Sequence, residues 1–329
     1  MAVKLSERDS DILAFSCFQA NASAAAIAKQ SGYREHVVRN CLRRLRDLEI
    51  VRPVLQINPY VLGYTEYYTF FAIENSASGY QRAVKALTST PEIFWVGEFG
   101  TAYRFAASIL AKGPRDLARI LDSVSIKIGS ALKERAVTIC HSLYSMQPHV
   151  YSSRAVPVPS SWYGDVGETV AIDSLDHQIL RNLSKDPLMT LSQLSRKVGS
   201  PISTLEYRVA SLKEQGVIVA YEYVTNEERL GTSTFPVALY LRRNTPDVQK
   251  KILDFALSTP QVTYLAFLIG RWDAEFGVRV KHPREISAVL EGINELLGPD
   301  INRLEFYPYF QVLKLEYYPF DAFVTPVKK

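Results

Sequence analysis

Cys140 and His141 stand side by side in "AVTICHSLYS", and a thiol next to an imidazole is a pair from which a nucleophile could be built. The stretch is rich in strand-forming residues, and adjacent strand residues point to opposite faces, so the expectation is a core cysteine beside an exposed histidine. The five histidines (His36, His141, His149, His177, His282) lie far apart and show no metal-ligand spacing, so no metal site is expected. Neither a Walker loop nor a G-x-S-x-G elbow occurs. "KGPRDL" (112–117) and "KHPREI" (281–286) could be imagined as anion sites at helix starts. A proline near N1 with an acid in the first turn accounts for both. These residues predict no catalysis and no cofactor.

The other concentration of chemistry is "REHVVRNCLRRLRDLEIV" (34–51), with arginines at 34, 39, 43, 44 and 46. A helix advances about 100° per residue. On that wheel Val37, Val38, Cys41, Leu42, Leu45 and Leu48 share an arc of about 140°, a core-facing stripe. Arg39, Arg43 and Arg46 cluster on the opposite side, with His36 and Asn40 nearby, and only Glu35 and Asp47 interrupt the charge. Arginine can bind guanine bidentately or neutralise phosphate, and asparagine can pair with adenine. A solvated surface would carry the same charges, so the surrounding elements must decide.

Those elements are written twice. A shift of 167 residues brings Asp9 onto Asp176, Ile12-Leu13 onto Ile179-Leu180, Gly32 onto Gly199, Leu45 onto Leu212 and Ile50-Val51 onto Val217-Ile218. Small insertions then align Gly63 with Gly231, Pro91 with Pro260, Gly100 with Gly270 and Gly129 with Gly298. Net charge is only +4, from 38 basic and 34 acidic residues, so any nucleic-acid footprint must be local. Three cysteines (17, 41, 140) without paired spacing argue against a disulfide scaffold. No signal-peptide h-region or membrane-length apolar run is present, and a cytoplasmic protein is expected.

Each copy opens with three helical segments. In copy one Ser6 or Asp9 can cap the first helix, "ASAAAIAKQSG" stops at Gly32, and the arginine helix follows from about Arg34 to Leu48. "IVRPVLQI" then suggests a small strand pair, completing a winged helix-turn-helix. Beyond it the period changes to that of strands and helices in the order βαββαβ, from "YTEYYTFFAIEN" to "AVTICHSLYS" and again from "FPVALYLRR" to "RLEFYPYFQVLKLEYY". The expected fold is α+β, two tandem winged helix-turn-helix and ferredoxin-like units. Its domains are 1–62, 63–150, a Ser/Pro/Gly-rich linker over 151–171, 172–230 and 231–329, with Trp162 and Tyr163 expected to pack part of the linker.

In this context the arginine helix is the recognition helix, and Arg34, His36, Arg39, Asn40, Arg43 and Arg46 become candidate contacts to double-stranded DNA. The second copy places Ser203, Glu206, Tyr207 and Ala210 opposite His36, Arg39, Asn40 and Arg43. Ser203, Tyr207 and Arg208 are its candidate contacts, and the first head is expected to hold DNA harder.

"LDHQILRNLSKD", "LSQLSRKVGSPISTLEYRVASLKEQGVI" and Leu230-Gly231 resemble the DNA-binding domain of the Lrp/AsnC (feast/famine) regulators. "IGRWDAEFGVRV" (269–280) is similar to the turn of that family's effector domain. The resemblance covers nearly the whole chain, twice. It implies a DNA-binding transcription regulator whose effector domains dimerise, assemble into homo-oligomers and often bind an amino acid or similar small molecule. The tandem copies then look like a dimer made covalent. Gly270, Arg271, Trp272, Asp273, Gly100 and Tyr103 are the effector-binding residues that the resemblance points to, although "GTAYRF" (100–105) has no aspartate matching Asp273. Copy one also has Glu49 for Gly216 and Cys41 for the family-like Arg208.

The same two-part fold resembles that of sirohaem decarboxylases. Their "RPxxWPYN" signature has no match in "FWVGEFGTAYRF" or "TYLAFLIGRWDAEF". A third alternative is a sensing or partner-binding module whose helix-turn-helix domains no longer bind DNA.

Overall fold

The structure is a computed structural model that describes residues 3–318 and 320. The first head consists of α1 (Glu7–Ser16), α2 (Ala24–Ser31), α3 (Glu35–Asp47) and β1 (Val51–Ile57). Ser6 caps α1, Ser23 caps α2, and Gly32 ends α2 in the left-handed region at φ 79°. The first effector half follows as β2 (Thr65–Ile73), α4 (Ala77–Thr88), β3 (Ile93–Phe99), β4 (Phe105–Ala111), α5 (Pro114–Ile128) and β5 (Leu132–Ser145). Helix α5 starts at Pro114 with Asp116 in its first turn, as its sequence predicts.

A one-turn helix α6 (Pro148–Tyr151) and a strand β6 (Ser161–Gly164) occupy the linker region. Copy two repeats the order. Its head is α7 (Ser174–Lys185), α8 (Leu191–Val198), α9 (Ile202–Glu214) and β7 (Ile218–Thr225). After the short α10 (Glu227–Leu230) come β8 (Ser233–Leu241), α11 (Pro246–Ser258), β9 (Val262–Ile269), β10 (Ala274–Val280), α12 (Ile286–Leu297), β11 (Ile301–Phe306) and β12 (Tyr309–Leu315).

The expected wing hairpin is replaced by a single strand in each head. β1 pairs antiparallel with β7, the matching strand of the other copy, in register Val54↔Glu222 and Leu55↔Tyr221. Since Leu55 matches Glu222 and Val54 matches Tyr221 across the repeat, the ribbon turns on a pseudo-two-fold axis at its centre. Both heads then share one hydrophobic core, in which Ile12, Leu42 and Leu45 meet Ile179, Leu212 and Tyr223. An antiparallel pair of isolated strands would be marginal in water, and this core is what sustains it.

The strands of both effector halves form one ten-stranded sheet in the order β11-β8-β10-β9-β5-β2-β4-β3-β12, with β6 added on β5. Within each half the order is the ferredoxin-like one. Alternation sorts β2: Tyr67, Phe71 and Ile73 face α4 and α5, whereas Phe70 turns to the other half. The segment expected as one final strand in copy two is broken at Tyr307-Pro308. β11 stays with β8, and β12 crosses to pair with β3 of copy one. Long β5 does the same in one piece, pairing with β2 and then with β9. The halves are thereby laced together at both edges, with Phe70, Ala106, Ala238, Ala266 and Trp272 packed between them.

Candidate nucleic-acid interface

Asp9 fixes the arginine helix against α1. Arg44 approaches Asp9 Oδ1 at 2.7 Å and Cys41 Sγ donates to the same oxygen at 3.2 Å. Burial works against the charged form of Asp9, but the bonds from Arg44, Ser6 and Cys41 prevail and lower its pKa to about 2. Val38, Cys41, Leu42 and Leu45 are buried, as their spacing predicts, whereas Leu48 is exposed just past the helix end. Glu49 follows at φ 54°, the left-handed conformation that Gly216 supplies in copy two at lower cost.

Arg34 at the N-cap and His36, Arg39, Asn40 and Arg43 on α3 are all exposed. Their contacts are local: Arg39 pairs with Glu35 one turn back, and Arg43 donates to Asn40 Oδ1 at 3.3 Å. Arg46 departs from the expected patch. It is half-buried and its guanidinium donates to the Tyr223 hydroxyl of the other copy at 2.8 Å, so it joins the heads.

In copy two Ser203, Glu206, Tyr207 and Ala210 are exposed on α9. Arg208 is turned back onto α7, 2.9 Å from Asp173 and 3.1 Å from Asp176. The two heads thus present chemically different surfaces: imidazole, amide and guanidinium groups on one, hydroxyl, carboxylate and phenol groups on the other.

The effector turns also come together. The Arg271 guanidinium lies 4.2 Å from the Tyr103 ring centroid, and Trp272 is buried against Phe70 and Tyr307. Asp273 is engaged in the fold: Oδ2 accepts from the Leu241 amide at 2.8 Å and Oδ1 from Asn244 at 3.2 Å. Gly270 adopts φ 142°, where an added Cβ would meet Thr138 backbone at 3.0 Å, so it serves close approach of the halves. Gly100 packs instead against Phe310 and Pro308. Cys140 is buried, and His141 is half-buried and stacked on Phe267, so they form no exposed nucleophilic pair.

Residues 172–219 match a family described as winged helix-turn-helix DNA-binding. An uncharacterized HTH-type transcriptional regulator of Pyrococcus furiosus is 30% identical over 131 residues, which are 39% of this chain and 86% of that protein. The chain belongs to the HTH-type transcriptional regulators. Among solved structures, this HTH-type regulator is similar to the siroheme decarboxylase NirDL, with 12% identity and a TM-score of 0.64 over 97% of each chain. At that identity the likeness speaks for the two-unit fold alone. An AsnC family transcriptional regulator of Agrobacterium tumefaciens matches 43% of the chain and 90% of its own, at 20% identity and a TM-score of 0.37.

The arginine patch was legible from the helical wheel. The inward turns of Arg46 and Arg208 were not, because each depends on a partner far away in sequence. Three buried carboxylates, Glu66, Glu222 and Glu275, were also missed. Their one sequence signal is mismatch across the repeat, where Thr234, Leu55 and Ala106 stand opposite them.

Proposed function

We propose that the chain is a sequence-specific transcription regulator that reads double-stranded DNA chiefly through α3 of its first head. The observation that carries this reading is the exposed set Arg34, His36, Arg39, Asn40 and Arg43 at the cap and along the third helix of a winged helix-turn-helix, where among the described residues Arg39 and Arg43 are engaged only by Glu35 and Asn40. A helix so placed enters the major groove with its N-terminal residues toward base edges. Ser203 and Tyr207 supply the weaker contacts of the second head, and Arg46 and Arg208 act from behind by fixing the helices.

The shared ribbon makes one chain the equivalent of a dimer. Further homo-oligomerisation through the effector halves is supported by exposed Ile269, Phe306, Phe310 and Val312. The Tyr103–Arg271 contact at the effector turns supports a small-molecule response there, with Trp272 in the wall and Asp273 as a structural anchor. No helix among the described residues is long and apolar enough to cross a membrane.

The fold likeness to a decarboxylase raises an enzymatic alternative. A polycarboxylate tetrapyrrole would meet Glu66, Glu222 and Glu275 in the interior between the halves, which disfavours that chemistry, and we read the chain as a non-enzyme.

The test is a salt titration of binding to genomic fragments recovered with the protein. Arg39→Ala with Arg43→Ala is expected to weaken binding and to reduce the slope of log K against log salt by about one for each phosphate left without its arginine. Unchanged affinity in a folded double variant would remove α3 from the interface.

A further inference from the structure

A cavity of roughly 410 Å³ lies where the β1–β7 ribbon meets the strands of both effector halves. That size suits a small organic ligand. Its walls combine the aromatic side chains of Tyr68, Trp95 and Tyr264 with the carboxylates of Glu66, Glu222 and Glu275, each of the three at most 5% exposed. None of these acids forms an ion pair among the described residues. Ser108 donates to Glu66 at 2.7 Å, Tyr264 to Glu275 at 2.9 Å, and Ser145 and Gln147 both donate to Oε1 of Glu222, whose Oε2 receives no donor among the described residues. Arg279, the buried cation in the wall, is already held by Glu227, Thr225, Thr234 and Tyr151. Glu316, also in the wall, faces Lys314 at 3.5 Å.

Burying an acid without an ion-pair partner is costly, and three such acids line one cavity although the matching positions of the other copy hold Thr234, Leu55 and Ala106. The repeated fold therefore does not call for an acid at these positions. We propose that the cavity binds a small organic cation, an amine on an aromatic body, with the ammonium on the carboxylate-bearing wall and the body against the rings. A metal ion does not fit, because no group of three His, Cys, Asp or Glu among the described residues is arranged to hold one. Burial pushes each carboxyl up to about 7, against the hydrogen bonds it accepts and, at Glu222, against the charge of Arg279, so an ammonium arriving near neutral pH displaces protons.

Calorimetry on the intact chain without DNA tests this independently of the DNA-reading proposal. Tryptamine is the probe, with tryptophol and indole-3-propionate as its neutral and anionic counterparts. Tryptamine is expected to bind once per chain at pH 8, about tenfold or more tighter than tryptophol, with indole-3-propionate weakest. The preference should fade by pH 6, as the carboxyls gain protons. Glu222→Gln and Glu275→Gln should each cost about tenfold in tryptamine affinity while leaving the melting temperature unchanged or raised. Equal binding of amine and alcohol by the unaltered chain, no tryptamine binding at pH 8, or full affinity in both folded variants would overturn the proposal.

Discussion

Asp9 and Asp176 occupy the same place in the first helix of each head, and each is held by an arginine of the recognition helix, but from different positions. Arg208 serves Asp176. Its match in copy one is Cys41, and Arg44, which matches Ser211, reaches Asp9 from one turn further along. Positions three apart share a helical face, so the guanidinium can be supplied from either. Arg44→Ser should therefore destabilise the first head by about 1–2 kcal/mol, since a buried carboxylate keeps only weaker donors. Adding Cys41→Arg should restore most of that stability in urea melts. The folded pKa of Asp9 lies below its unfolded value, so its contribution is complete above about pH 4 and fades as pH falls toward 2. The gap between the native chain and Arg44→Ser should close over that window. The repeat alignment exposed the Cys41 departure, but its compensation was hidden. A helical wheel gives the direction of a side chain, while long arginine stems bring their charges back over neighbouring turns.

At the level of elements, what the sequence could not disclose is the pairing between copies. Period and turn residues located α1 to α3, α7 to α9 and both βαββαβ series because those signals are local. "IVRPVLQI" and "RLEFYPYFQVLKLEYY" carry strand propensity, but no residue in them names a partner more than 160 positions away. The structure uses them for that purpose, pairing β1 with β7 and β12 with β3, and it joins β5 to β9 in the same way across a shorter separation. Nor is the linker a free tether. Arg154 lies 3.0 Å from Asp11, and β6 runs along β5. Residues 1–171 or 172–329 produced alone should thus lack a cooperative thermal transition, being without the ribbon, the lacing strand and half of the shared head core. Mixing the two is expected to restore one transition, read by circular dichroism. Two-state melting of either piece as a monomer would show that the copies are independent domains.

For the molecule as a whole, the lacing means that the two heads are presented by a frame with pseudo-two-fold symmetry while their reading surfaces lack it. The ribbon centre between Val54 and Leu55 relates the heads closely, as the symmetric register requires. Arg39 and Arg43 on one side are answered by Glu206 and Ala210 on the other, so equal placement does not give equal recognition. A homodimer with this geometry would favour a palindrome, because identical helices meet the groove in both half-sites. Here one half-site should be specified strongly and the other weakly, since a glutamate near phosphate repels and can at best accept from cytosine. Selection from random duplexes should return an asymmetric motif with most information in the half covered by α3. Glu206→Arg with Ala210→Arg should tighten binding, steepen the slope of log K against log salt by about one to two and draw the selected motif toward symmetry. A native motif that is already palindromic, or a double variant that leaves it unchanged, would mean that specificity comes from DNA shape or from other surfaces.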